Sequence, residues 1–106
     1  MTEEENQTIQ LGGNIELSGF KEIDGGSMII IKKIVGSYVR KFADKTQNLQ
    51  KFSLNMKKVH SNQENAIFEL HGNIIRDGKT YSAETAERNL FVAVDSVMRK
   101  LENSIN

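Results

Sequence analysis

The chain has 106 residues, no cysteine, no proline and a formal net charge of zero at pH 7, with 38% hydrophobic residues. That length predicts one domain with one core, and the lack of cysteine excludes a disulfide framework and thiolate metal sites, which suits a reducing compartment. The longest apolar run, Met28 to Ile31, has four residues against the ~20 of a membrane span, and the acidic N-terminus lacks an apolar signal core, so the expectation is a cytoplasmic protein with no membrane partner.

The zero net charge hides a division. Residues 1–24 carry six acidic residues against Lys21 alone, whereas residues 25–58 carry eight basic residues against Asp44 alone. Such asymmetry points to partners better than the total does. A solvated, lysine-rich face accounts for the same charges without a partner.

Residues 1–13 are polar, open on a Glu run and end in Gly12-Gly13, so they are predicted to form a flexible acidic tail. Residues 14–106 are predicted to form the single folded domain. Asn14 to Phe20 alternates, with Ile15 and Leu17 on one face, as a half-buried strand does. Gly19, Asp24, Gly25 and Gly26 mark a loop. It matches no phosphate-binding glycine pattern, and Glu22 and Asp24 would repel an anion. Ser27 is the expected cap of the helix that follows.

Ser27 to Lys45 has the strongest period in the chain. Ile31, Ile34, Val35, Tyr38, Val39 and Phe42 recur at spacings of three and four and form one apolar stripe. Lys33 and Arg40 fall opposite that stripe, and Lys32 and Lys41 lie on its flanks. Lys51 to His60 alternates again through Phe52, Leu54 and Met56, and Ala66 to Ile74 does so through Phe68 and Leu70. Asp77-Gly78 signals a type I′ hairpin, with Lys79 to Thr85 returning and Tyr81 and Ala83 facing inward. Leu90, Phe91, Val94, Val97, Met98, Leu101 and Ile105 give a second amphipathic helix that starts between Thr85 and Asn89.

One architecture satisfies all these apolar faces. It is an α+β, two-layer β-α-β-β-β-α sandwich, a four-stranded sheet with two helices on one face. The other sheet face would be polar, with Glu16, Ser53, Asn55, Lys57, Glu69 and His71, and it would also carry Ile67 and Ile75.

No catalytic constellation is visible, so the expectation is not an enzyme, with no cofactor and no small-molecule substrate. His60 and His71 are the only histidines, and Glu64 and Glu69 do not complete a known ligand spacing. Asp77 is explained by its turn, and Asp95 by a pair with Arg99 four residues on. What remains is binding. Lys32, Lys33, Arg40 and Lys41 project from the first helix and Arg88, Arg99 and Lys100 from the second. Side by side they would form one basic surface suited to RNA phosphates, read by shape rather than by base stacking.

The last strand and helix, from Ser82 to Glu102, carry a resemblance. Leu90-Phe91-Val92-Ala93-Val94-Asp95 and Lys100-Leu101 fill a motif similar to that of the ribosome hibernation-promoting factor family, also called ribosome-associated inhibitor A or sigma-54 modulation protein. Asn89 stands where that family usually has Asp, and Phe91 where it has Tyr. The element order and the basic first helix resemble the family too, over about residues 14–105. The resemblance implies the short form, without the C-terminal dimerisation domain of the long form. It implies a ribosome-binding factor that engages small-subunit rRNA and inhibits translation during stress or stationary phase. By resemblance the RNA contacts would be Lys33, Arg40, Lys41, Arg99 and Lys100, with Lys32 and Arg88 behind them. The alternative expectation is a protein-interaction module that dimerises or docks through the exposed sheet face, Ile67 and Ile75 included.

Overall fold

The computed structural model describes residues 8–10, 14–45, 49–60 and 66–105. Its elements are β1 (Thr8–Gln10), β2 (Ile15–Ser18), α1 (Gly25–Lys45), β3 (Leu49–His60), β4 (Ala66–Arg76), β5 (Lys79–Glu87) and α2 (Leu90–Ile105). The α+β class and the β-α-β-β-β-α order from β2 onward stand as expected. The sheet has one strand more than the sequence suggested, in the order β1-β2-β3-β4-β5. β2 runs parallel to β3, with α1 as the crossover, and the other neighbours are antiparallel.

The extra strand corrects the reading of the tail. Thr8–Gln10 pairs with residues 16–18 at the sheet edge. A three-residue strand is too short to show alternation, and its order comes from the ladder rather than from its own sequence. Residues 1–7 and 11–13 lie outside the described residues, as do residues 61–65 with Glu64.

The start of α1 is a second correction. Asp24, not Ser27, is the cap: the Ser27 amide donates to Asp24 Oδ2 at 3.0 Å and the Met28 amide to the Asp24 carbonyl at 3.0 Å. Helix N-termini leave amides unpaired, and a carboxylate one turn back satisfies one of them while favouring the positive end of the dipole. That amide bond holds the Asp24 carboxyl below its ordinary pKa. Gly25 and Gly26 therefore belong to the first turn. α2 is capped in the same manner by Asn89, whose side-chain oxygen accepts from the Val92 amide at 3.1 Å.

The turn itself is as expected. Asp77 and Gly78 have φ of 53° and 77°, as a two-residue type I′ turn requires. Gly19 has a less visible constraint. Its φ is 84°, and a Cβ there would overlap the carbonyl oxygen of Met56 in β3. The chain leaves β2 against the backbone of its neighbour, which only glycine permits.

Both helices cover one sheet face. Met28, Ile31, Val35, Val39 and Phe42 of α1 and Leu90, Ala93, Val94, Val97, Met98, Leu101 and Ile105 of α2 are buried with Leu17, Phe52, Leu54, Met56, Leu70 and Ile74 of the sheet. At roughly 1.5–3 kcal/mol per large apolar side chain removed from water, this core outweighs the exposed ion pairs, which contribute about 0–1 kcal/mol each. The other face is polar as expected. On it Asn55 Nδ2 donates to Ser18 Oγ at 2.8 Å and Ser82 Oγ to Asn73 Oδ1 at 2.6 Å.

Candidate nucleic-acid interface

Two cross-helix contacts fix how the helices lie. Tyr38 OH donates to Asp95 Oδ1 at 2.9 Å, and Lys45 Nζ meets Glu102 Oε2 at 3.2 Å. Each helix advances by seven residues between these contacts, so α1 and α2 run parallel and begin at the same end of the sheet. That arrangement decides which cations share a surface.

Lys32, Lys33, Arg40 and Lys41 of α1 are all exposed. Lys33 and Arg40 stand opposite the buried stripe, two turns and about 10.5 Å apart along the axis. None of the four has a carboxylate partner among the described residues. Lys41 Nζ instead lies 5.1 Å from the centroid of the Tyr38 ring. The surface of α1 carries five basic residues against Asp44, and among the described residues Lys45 alone of the five has an ion-pair partner.

The second helix contributes less than the sequence suggested. Arg99 is exposed, but its guanidinium donates to Asp95 Oδ2 at 2.6 Å, the expected pair four residues apart. Lys100 is turned away from α1: its Nζ donates to the Glu84 carbonyl of β5 at 2.9 Å. Helical geometry accounts for this, because residues 99 and 100 differ by ~100° around the axis, so only one can face α1's side of the outer layer. Arg88 sits at the end where both helices begin, in a hollow of about 360 Å³ shared with Glu22, Asp24 and Lys58. The single basic surface over both helices thus contracts to α1's outer face, with Arg99 beside it in a neutralised state and Lys100 and Arg88 apart.

The Tyr38–Asp95–Arg99 clasp was not legible in the sequence, since Tyr38 and Asp95 are 57 residues apart. Burial, and then the neighbouring Asp95, raise the Tyr38 hydroxyl above its ordinary pKa of 10.0. Tyr38→Phe is expected to lower stability by about 1 kcal/mol, as for a hydrogen bond lost at a half-buried site, measured by urea unfolding. A raised folded pKa contributes stability that is complete below the unfolded value and lost as pH rises through the folded one. The wild-type protein should therefore lose stability relative to Tyr38→Phe above pH 10.0 and not below it.

Sequence reasoning also missed that α1 adds an apolar portion to this layer. Ile29 and Ile30, one turn ahead of Lys33, are 60% and 47% exposed, and Val92 in the first turn of α2 is 50% exposed. The signal was the run Met28 to Ile31, which exceeds what one buried stripe can absorb.

His71 Nδ1 lies 3.3 Å from Glu84 Oε1, with both side chains more than half exposed. They line a hollow of about 260 Å³ with Glu69, Thr85 and Ala86, smaller than the ~300–1,000 Å³ of ligand pockets. Glu69 and Glu84 both line the hollow beside His71. The described residues contain no group of three or more potential metal ligands, and the His60 side chain lies outside them. No helix among them is long and apolar enough to cross a membrane.

No family model and no curated protein matches the chain.

The stretch that resembles the hibernation-factor motif has a physical reading of its own. Leu90, Ala93, Val94, Val97, Met98 and Leu101 are core residues, and Asp95 is the clasp. The motif therefore reports the packing of α2 on the sheet, and the case for RNA rests on α1.

Proposed function

We propose that this protein is a non-enzymatic, cytoplasmic ribosome-associated factor that lays the outer face of α1 on small-subunit rRNA and inhibits translation under stress or in stationary phase. One observation carries this reading. Lys32, Lys33, Arg40 and Lys41 stand exposed on one rigid helix without carboxylate partners among the described residues. A polyanion gains from such a face because each phosphate neutralised releases condensed counterions. The resemblance of the chain to ribosome hibernation factors supports the choice of rRNA among polyanions. Lys33, Arg40 and Lys41 are the contacts that matter most in this reading. Arg99 joins them when phosphate replaces Asp95 as its partner, and Lys32, Arg88 and Lys100 are peripheral.

The test is sedimentation of the protein with purified small subunits through a gradient at low salt. Co-migration that is lost on raising the salt supports the proposal. Protein that remains at the top of the gradient at low salt refutes it.

The alternative, docking through the sheet face, receives no support from the geometry. Ile67 and Ile75 both face outward on β4 but lie eight residues apart, about 26 Å along the strand. They are half-buried and do not form one patch.

A further inference from the structure

β5 ends the sheet, and no described strand pairs with its outer side. It is nine residues long, whereas the opposite edge strand has three. The two-residue turn fixes which of its backbone groups are free. Arg76 and Lys79 close the hairpin as a hydrogen-bonded pair. Bonding alternates from there, so Lys79, Tyr81, Ala83, Thr85 and Glu87 turn their amides and carbonyls to β4. Thr80, Ser82, Glu84 and Ala86 turn theirs outward. The bond from Lys100 to the Glu84 carbonyl agrees with this phase, since that oxygen is reachable from the edge.

An open edge of this length is a template for another strand, and proteins commonly blunt it with lysine. Among the described residues, one amine covers one of the four outward carbonyls. Beside the edge, α2 presents Ser96, whose Oγ is 3.3 Å from Thr85 Oγ1, and Ser104, whose Oγ donates to the Lys100 carbonyl, while Val92, 50% exposed, shares a hollow with Ala86.

We propose that the β5 edge is a self-association surface whose partner is β5 of a second copy of this chain, paired antiparallel about a two-fold axis at Ala83. Charge selects this partner and this register. Pairing about Ala83 sets Ser82 opposite Glu84 and Thr80 opposite Ala86, which satisfies the outward backbone groups. It also sets Lys79 opposite Glu87, and the symmetry makes that pair twice. The next register toward the C-terminus sets Glu84 against itself, and the next toward the N-terminus leaves Lys79 opposite Thr85. The two sheets become one continuous sheet, and Lys100 competes with the partner for the Glu84 carbonyl. Self-association at this edge is independent of RNA binding on α1.

The experiment is analytical ultracentrifugation of the full chain from micromolar to millimolar concentration, with circular dichroism to confirm that each variant is folded. The wild type is expected to associate reversibly to a dimer. Lys100→Met, which keeps the apolar stem and removes the competing donor, is expected to raise the association constant about five- to tenfold. Lys79→Glu is expected to weaken it, and Lys79→Glu combined with Glu87→Lys to restore it. The chain has no natural cysteine, so a single introduced thiol reports the register. Ala83→Cys is expected to oxidise to a covalent dimer at the two-fold axis, and Ala86→Cys, whose partner is Thr80, is not. Monomers throughout for both wild type and Lys100→Met overturn the proposal. A dimer indifferent to the Lys79 and Glu87 changes, or one cross-linked equally by both cysteines, overturns it too.

Discussion

Reversing Lys33, Arg40 and Lys41 together to glutamate is expected to lower affinity for small-subunit RNA by about 10²- to 10³-fold near 0.1 M salt. Each phosphate contact of a cation contributes roughly 0.9 to the slope of log K against log salt, so losing three should flatten that slope by about 3. The fold should survive, because all three side chains are exposed and none pairs with a carboxylate among the described residues. Reversal of Lys51 and Lys57 on the opposite sheet face, where Lys51 already pairs with Glu16 at 3.3 Å, is the matched control and should change little. Filter binding or fluorescence anisotropy across a salt series reads both quantities. An unchanged slope in the triple variant would remove α1 from the interface.

Gly19→Ala is expected to be the most damaging alanine substitution among the described glycines. The residue has φ of 84°, where an L side chain is strained, and the new Cβ would run into the Met56 carbonyl, a backbone atom of β3 with little freedom to yield. Left-handed strain alone costs about 1–2 kcal/mol, and displacing β2 from β3 disturbs the buried Leu17 and Phe20 on either side of it. A loss of about 3 kcal/mol or more is expected in urea unfolding. Gly25→Ala is the contrast. A Cβ there meets nothing within 4 Å, it sits in the first turn of α1, and alanine is the better helix former by roughly 1 kcal/mol. Stability should hold or rise. Equal losses in the two variants would mean that glycine content, rather than the clash at Met56, sets the effect.

Much of this fold is legible in the sequence because its forces are local. α1 and α2 announce themselves by period, β3, β4 and β5 by alternation, and the hairpin by Asp77-Gly78. What is hidden depends on contacts between distant residues. β1 becomes a strand only because β2 offers an edge to Thr8–Gln10. The need for glycine at position 19 lies in Met56, on another strand. Ser27 and Asp24 are both good caps by type, and three-dimensional placement chose Asp24.

The exposed basic face of α1 was legible in part for the same reason. Facing on one helix follows from spacing, so Lys33 and Arg40 were placed well. Whether a cation on α2 is available depends on what lies beside it. The Asp95 carboxylate neutralises Arg99, and the Glu84 carbonyl on the far flank captures Lys100. Composition records neither fact.

The most direct measurement is lysine protection in a complex with small ribosomal subunits. The protein is treated with an amine-acylating reagent alone and bound, and modification at each lysine is read by mass spectrometry. If the outer face of α1 lies on the rRNA, Lys33 and Lys41 become protected on binding while Lys51 and Lys57 stay reactive. Protection of Lys51 and Lys57 with Lys33 and Lys41 still open, or no protection at any of the four, would contradict it.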